Sequence, residues 1–349
     1  MKQDIIEKLV RPMIREITPY RSARDEFEDF DAQKIFLDAN ENPFDNGVNR
    51  YPDPLQRNLK RTLAKIKQVN EEQILLGNGS DEVLDLIIRT FCEPGEEEVL
   101  VLPPTYGMYA VLAKLNNVTV KEVPLNKKFE IDLDSVIEAI NPKTKIIFVC
   151  SPNNPSGNAI PFNQIKELLK SFSGIIVIDE AYIDFSQEKS ALSLLDQYPQ
   201  LLVCQTFSKA YGLAGIRLGM CFANPLVIDY FNKIKPPYNV NSLTQRQALV
   251  KLDETDSIRD QVIELISERK MLEQELKQFD FVTKIYPSDA NFLLVVVDNA
   301  NKRYDQLLNA GIVLRNRSRL QGCKNALRVT VGTPEENIKF IKICKTIDL

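Results

Sequence analysis

The stretch TFSKAYGLAGIRLG at 206–219 sets Lys209 just after two hydroxyls, Thr206 and Ser208, and eight residues before Arg217. Lysine condenses with carbonyls once it is desolvated or placed near other cations. Hydroxyls and an arginine beside it suit a phosphate-bearing aldehyde whose carbonyl carbon the amine attacks. A surface loop could carry the same letters. In GIIVIDEAYID at 174–184, Asp179 closes an apolar run. That is where a buried strand would end, and ligands of open α/β sheets bind at such ends. A carboxylate there needs a cation, and a protonated pyridine nitrogen is one; a cap or turn role also remains open. Tyr182 follows one short turn later, within reach of another edge of the same ring. CSPNNPSG at 150–157 is turn chemistry, in which Asn154 could offer its amide to a phenolate-type oxygen. Gly77-Asn78-Gly79-Ser80-Asp81 leads into a helical pattern, and helix N-termini bind phosphate through free N–H groups. It is neither a Walker A nor a G-x-G-x-x-G loop. Tyr106 of PPTYGMY follows another apolar run and could stack on a planar ring or simply bury itself.

Composition narrows the chemistry. The 349 residues include no histidine, which removes Ser-His-Asp and Cys-His nucleophile systems and imidazole proton shuttles. Acid–base work then falls to Lys, Tyr, Asp, Glu, Cys or a cofactor. A net charge of −4 argues against a broad nucleic-acid surface. The six cysteines form no C-x-x-C pair, so neither a zinc ribbon nor a thioredoxin-like site is expected, and no metal. They read as reduced core residues of a cytoplasmic protein. No apolar run approaches membrane-spanning length, and the first residues are too polar for a signal peptide.

These residues need elements to hold them. Apolar runs at 99–102, 118–123, 145–150, 174–179, 201–206 and 218–223 read as strands buried on both faces, the mark of a mainly parallel sheet. Helical spacing at 79–91 and 162–172 lies between them, so an α/β domain is expected. A charged stretch at about 250–280 reads as one long amphipathic helix, followed by strands at 292–298 and 327–332. The expected division is an irregular arm at 1–36, set on the smaller domain or another subunit, a large α/β domain at 37–244 and a smaller α+β domain at 245–349.

In order and placement these segments resemble the fold-type-I, pyridoxal-phosphate-dependent aminotransferases. Within that superfamily the chain is similar to the class-II subfamily of histidinol-phosphate aminotransferases. The likeness runs over nearly the whole length through TPYRSAR (18–24), LDANENP (37–43), NRYPDP (49–54), GNGSDE (77–82), PPTYGMY, SPNNPSG, DEAYIDF (179–185), the Lys209 segment, PPYNVN (236–241) and LRVTVGTPEEN (327–337). Ser156 stands where NNPTG is commoner and keeps the hydroxyl.

The resemblance implies a large domain with a mainly parallel seven-stranded sheet flanked by helices, plus a smaller α+β domain. It implies pyridoxal 5'-phosphate held as an internal aldimine on Lys209, which then shuttles the proton. Asp179 would pair with the ring nitrogen, Asn154 and Tyr182 with the ring oxygen, and Tyr106 would stack. Gly79, Ser80, Asp81, Ser208 and Arg217 would hold the cofactor phosphate, with Thr206 close by. Tyr51 would reach the phosphate of a neighbouring subunit, which implies a homodimer with shared sites. Arg328, Arg315 and Tyr20 would grip the substrate's anionic end, near Asn154. The implied reaction is ping-pong exchange between histidinol phosphate and 2-oxoglutarate, giving imidazole-acetol phosphate and glutamate in histidine biosynthesis. Threonine-phosphate decarboxylation and a broad or aromatic aminotransfer are the alternatives on the same site.

Overall fold

The computed structural model describes residues 2–20, 22, 24 and 35–347; Arg21 and Ala23 of TPYRSAR and residues 25–34 of the expected arm lie outside them. Seven strands hydrogen-bond into one sheet: β1 (Ile74–Asn78), β2 (Glu98–Val101), β3 (Thr119–Glu122), β4 (Thr144–Cys150), β5 (Ile175–Asp179), β6 (Leu201–Thr206) and β7 (Leu218–Phe222). Their order is β1-β7-β6-β5-β4-β2-β3. The strands β2 to β6 run parallel, and β7 lies antiparallel between β6 and β1.

Successive residues of a strand face opposite sides. Ile147 and Val149 therefore join Ile176, Ile178 and Val203 in a core on one face. Ile146 and Phe148 join Ile175, Val177 and Leu202 on the other. Burial on both faces is why these strands have no polar alternation.

The helices α1 (Lys2–Leu9) and α2 (Pro12–Glu16) correct the expectation for the N-terminus. Ile6, Val10 and Ile14 are four apart, form a stripe, and are buried in the large sheet's second core. Arg11 ties this segment to Glu93 at 3.1 Å. The start of the chain thus packs on the large sheet, helical rather than irregular.

Helices α3 (Arg57–Lys67), α4 (Ser80–Phe91), α5 (Met108–Leu115), α6 (Leu133–Ala139), α7 (Phe162–Ser171), α8 (Pro225–Ile234) and α9 (Ser242–Leu252) cover the two faces. The long α10 (Thr255–Leu276) starts with Ile258 in the first core and ends with Leu272 and Leu276 in a separate one. That separate core belongs to an antiparallel sheet of β8 (Val282–Ile285), β9 (Phe292–Val297), β10 (Arg315–Asn316) and β11 (Ala326–Thr330), ordered β10-β11-β9-β8. Helices α11 (Ala300–Asn309) and α12 (Pro334–Ile347) pack on it. All six cysteines are buried. Among the described residues no helix is long and apolar enough to cross a membrane.

One buried charge bears on stability. Lys60 of α3 is pushed down to about 8, first by burial and then by the nearby Lys235 ammonium. Lys235 is cradled by the carbonyls of Pro54, Pro236 and Pro237, whereas Lys60 forms no ion pair among the described residues. An unfolded lysine titrates near ~10.4. Below pH 8 the fold must therefore hold a charge that the unfolded chain holds more cheaply, and this handicap fades as pH rises from about 8 towards ~10.4. Lys60→Met is expected to raise unfolding free energy at pH 7 by about 1–3 kcal/mol, with the gain shrinking near pH 10. Urea denaturation at both pH values checks this; an unchanged or lower stability at pH 7 contradicts it.

Candidate active site

Parallel strands bring their carboxyl ends to one rim of a sheet. The strand β1 leads there through Gly79 into α4, β2 leads to Tyr106, β4 leads to Asn154, β5 ends on Asp179, and β6 ends on Thr206 just before Lys209. The strand β7 runs the other way and starts from the same rim after Arg217. A cavity of about 160 Å³ results, lined by Ser80, Asp81, Tyr106, Asn154, Asp179, Tyr182, Thr206, Ser208, Lys209 and Arg217, together with Cys150, Ala181 and Ala214.

Asp179 is buried at the floor. The Tyr109 hydroxyl donates to it at 2.5 Å and the Ala181 N–H at 3.1 Å. Burial pushes its pKa up, against the pull of these two donors. It forms no ion pair among the described residues. A buried carboxylate is costly without a cation, so the floor suits a cationic ring nitrogen. Tyr109 was not among the sequence candidates. Its place in PPTYGMY, three residues after Tyr106, is the signal, because that spacing turns both rings to one side of a helical turn. The two rings meet edge to face at 5.6 Å.

Lys209 has its pKa lowered, first by burial and then by the Arg328 charge; Asp179 pulls the other way. Its Nζ lies 5.6 Å from the centre of the Tyr182 ring. Asn154 holds two partners at once. Its Nδ2 donates to the Tyr182 hydroxyl at 3.5 Å, and its Oδ1 accepts from Nη1 of Arg328 at 2.6 Å.

An anion cradle occupies the opposite side. Thr206 Oγ1 accepts from the Ser208 N–H at 3.1 Å and donates to the Ser208 hydroxyl or the Leu218 carbonyl. Arg217 adopts φ +54° and donates to the Ala214 carbonyl, pairing with no carboxylate among the described residues. Gly79 caps α4 at φ +80°, and a Cβ there would lie 2.6 Å from Nη2 of Arg217. Only glycine lets the guanidinium close over the helix N-terminus. A free cation, hydroxyls and helix N–H groups together fit a phosphate. From the PPYNVN segment, Asn239 donates to the Leu76 carbonyl and to Glu82, fixing the join between β1 and α4. The Tyr106 hydroxyl donates to Asp81 at 3.0 Å.

Arg328 arrives from the smaller sheet, on β11, with Arg315 opposite it on β10. Arg317, two residues further on, was not among the sequence candidates. The expected residues Arg315, Tyr20 and Tyr51 do not line this cavity within the chain; Arg315 is exposed on β10. Tyr20 is 77% exposed. Tyr51 stacks on Tyr238 at 4.4 Å and lines other hollows, beside Arg50 and Ser242. Its N–H donates to Glu41, which also receives Arg24 and Arg50.

Residues 28–343 match the model of the family aminotransferase class I and II. The chain is 56% identical over 348 residues to the histidinol-phosphate aminotransferase of Christiangramia forsetii, covering 100% of this chain and 99% of that one. Among solved structures, the histidinol-phosphate aminotransferase of Clostridium acetobutylicum superposes with a TM-score of 0.80 at 27% identity, over 86% of this chain and 91% of that one. The enzyme of that name from Sinorhizobium meliloti, solved in complex with pyridoxal-5'-phosphate, shares the fold at a TM-score of 0.78 and 22% identity, over 85% and 83%. The chain therefore belongs to the class I and II aminotransferase family, among the histidinol-phosphate aminotransferases.

Proposed function

We propose that the chain exchanges the amino group of histidinol phosphate with 2-oxoglutarate, using pyridoxal phosphate held at the sheet rim. The observation that carries this reading is the single cavity shared by Lys209, Asp179, Asn154, Tyr182 and Arg217. Pyridoxal phosphate supplies an aldehyde that condenses with amines and a ring that accepts electrons from the substrate's α-carbon. Lys209 Nζ is the amine that holds it. Asp179 supplies the anion that keeps a ring nitrogen protonated. Asn154 and Tyr182 would bind its ring oxygen, and Tyr106 would supply an aromatic face for the ring. Arg217, Ser208, Thr206 and the N-terminus of α4 at Gly79, Ser80 and Asp81 hold its phosphate.

Lys209 then serves as base. Its lowered pKa leaves more of it as free amine, able to take the proton from the substrate α-carbon at Nζ. Arg328 and Arg315 bind the far anionic end of the substrate, with Asn154 as a further contact. Guanidinium forks fit carboxylate and phosphate alike, so one pocket serves glutamate and a phosphate monoester in turn. Exposed Tyr51 fits a role in the site of a second copy, making the working form a homodimer with shared sites.

With pyridoxal phosphate bound, the protein is expected to form glutamate from 2-oxoglutarate when histidinol phosphate is the donor, with parallel lines in double-reciprocal plots. Release of carbon dioxide from threonine phosphate, or turnover of phenylalanine with none of histidinol phosphate, would replace this reading with a decarboxylase or an aromatic aminotransferase.

A further inference from the structure

Strand alternation and register place three arginines on one face of the smaller sheet. Arg315 lies opposite Arg328 in the antiparallel pair of β10 and β11. Residues directly opposite share a face. The Arg317 N–H donates to the Ala326 carbonyl at 2.8 Å, carrying the ladder two residues past Arg315. Arg317 is therefore on the same face as Arg315 and Arg328. Its opposite neighbour there is only an alanine, which leaves room for its side chain.

That face is the one turned to the active site. Arg328 donates to Asn154 and its guanidinium lies 5.3 Å from the Phe292 ring centre, while Phe292 meets the Tyr182 ring edge to face at 5.2 Å. Arg317 is close enough for its charge to favour the Tyr182 phenolate.

The three guanidiniums pair with no carboxylate among the described residues. Nε of Arg317 and Nε of Arg328 are buried with no hydrogen-bond partner, and so is the hydroxyl of Ser318. Burial and mutual repulsion make the positive form of Arg317 less favourable than usual. Two buried guanidinium donors without a counter-charge, next to the exposed guanidinium of Arg315, form an unfinished site. A group with several oxygens and two negative charges would finish it.

We infer that Arg317 is a third anion-binding arginine of the substrate pocket and that it selects the phosphate ester over a carboxylate. The inference rests on the reading of the site as one for a phosphorylated amine. A carboxylate, with one charge and two oxygens, is met by the fork of Arg328. A phosphate dianion has a third oxygen and a second charge for Arg317.

The test uses the pyridoxal-phosphate-loaded protein and the variants Arg317→Gln and Arg317→Lys. Arg317→Gln is expected to raise KM for histidinol phosphate about tenfold or more, with kcat within about twofold. KM for glutamate in the reverse direction is expected to stay within about twofold. Arg317→Lys is expected to recover part of the loss, since it keeps the charge without the fork. Inorganic phosphate, titrated as a competitor of glutamate, is expected to bind Arg317→Gln about tenfold more weakly than the parent. An unchanged KM for histidinol phosphate, or an equal rise for glutamate, overturns the inference. If the parent itself does not turn over histidinol phosphate, the proposed reaction fails. The inorganic-phosphate titration still decides the role of Arg317, equal binding by parent and Gln variant overturning it.

Discussion

Lys209→Ala is expected to lower turnover of histidinol phosphate by at least about 10⁴-fold while the thermal midpoint stays within a few degrees of the parent's. Two losses act together. The variant has no amine to hold the cofactor, and no base at the substrate α-carbon, where proton transfer alone contributes about 10²–10⁴-fold. Stability is spared because Lys209 lines a cavity, and its charged form is disfavoured there by burial and by Arg328. Initial rates and a melting curve read both parts. Borohydride treatment of the loaded parent, which fixes the cofactor to whichever amine holds it, followed by peptide mass analysis, reads the position. A label on any lysine other than Lys209 would falsify the account of the site.

Asp179→Asn is the second large effect. The parent carboxylate is buried, meets the Tyr109 hydroxyl at 2.5 Å, and forms no ion pair among the described residues. An amide of the same shape keeps the packing but loses the negative charge opposite the ring nitrogen. Removing one preorganised electrostatic partner typically costs about 10²–10³-fold in kcat. That loss is expected here, with KM for histidinol phosphate within about threefold, since the substrate's anionic end is gripped on the other sheet. Retention of cofactor by Arg217 and α4 is expected to persist, measured as bound pyridoxal phosphate after gel filtration. A drop in kcat below about fivefold contradicts the assigned role.

The sheet rim was legible in the sequence because of how parallel strands are buried. Runs such as KIIFVC and GIIVID are apolar on both faces, so they stand out from any helical period, and the residue after each run is at the rim. Lys209, Asp179 and Asn154 follow from that. The strand β1 escaped because it has only three apolar residues before Gly77-Asn78, which reads as a helix entry. The strand β8 escaped because Thr283 and Lys284 are exposed on it. Tyr109 escaped for a different reason: a tyrosine on the apolar side of a short helix reads as core, and its partner Asp179 is 70 residues away. Arg317 becomes meaningful only through the register of β10 on β11. Without that pairing, Arg317 and Arg319 are indistinguishable from an exposed turn. The stripe of Ile6, Val10 and Ile14 is one residue wide amid charges, too thin to see against an irregular background.

The segment between β6 and β7 carries both Lys209 and Arg217, and its two ends are fastened together. The Phe207 N–H and the Thr206 hydroxyl both reach the Leu218 carbonyl, and Leu218 bridges to Gly79. Amine and phosphate anchor are thus two points on one closed ring of backbone, and their separation is set there. The guanidiniums that meet the substrate stand on a different sheet, joined to the rim of the first by side-chain contacts such as Arg328 to Asn154. Evolution can therefore lengthen or shorten the reach available to a substrate by adjusting the seam alone. The chemistry of the first sheet can be inherited unchanged while the choice of molecule is rewritten on the second.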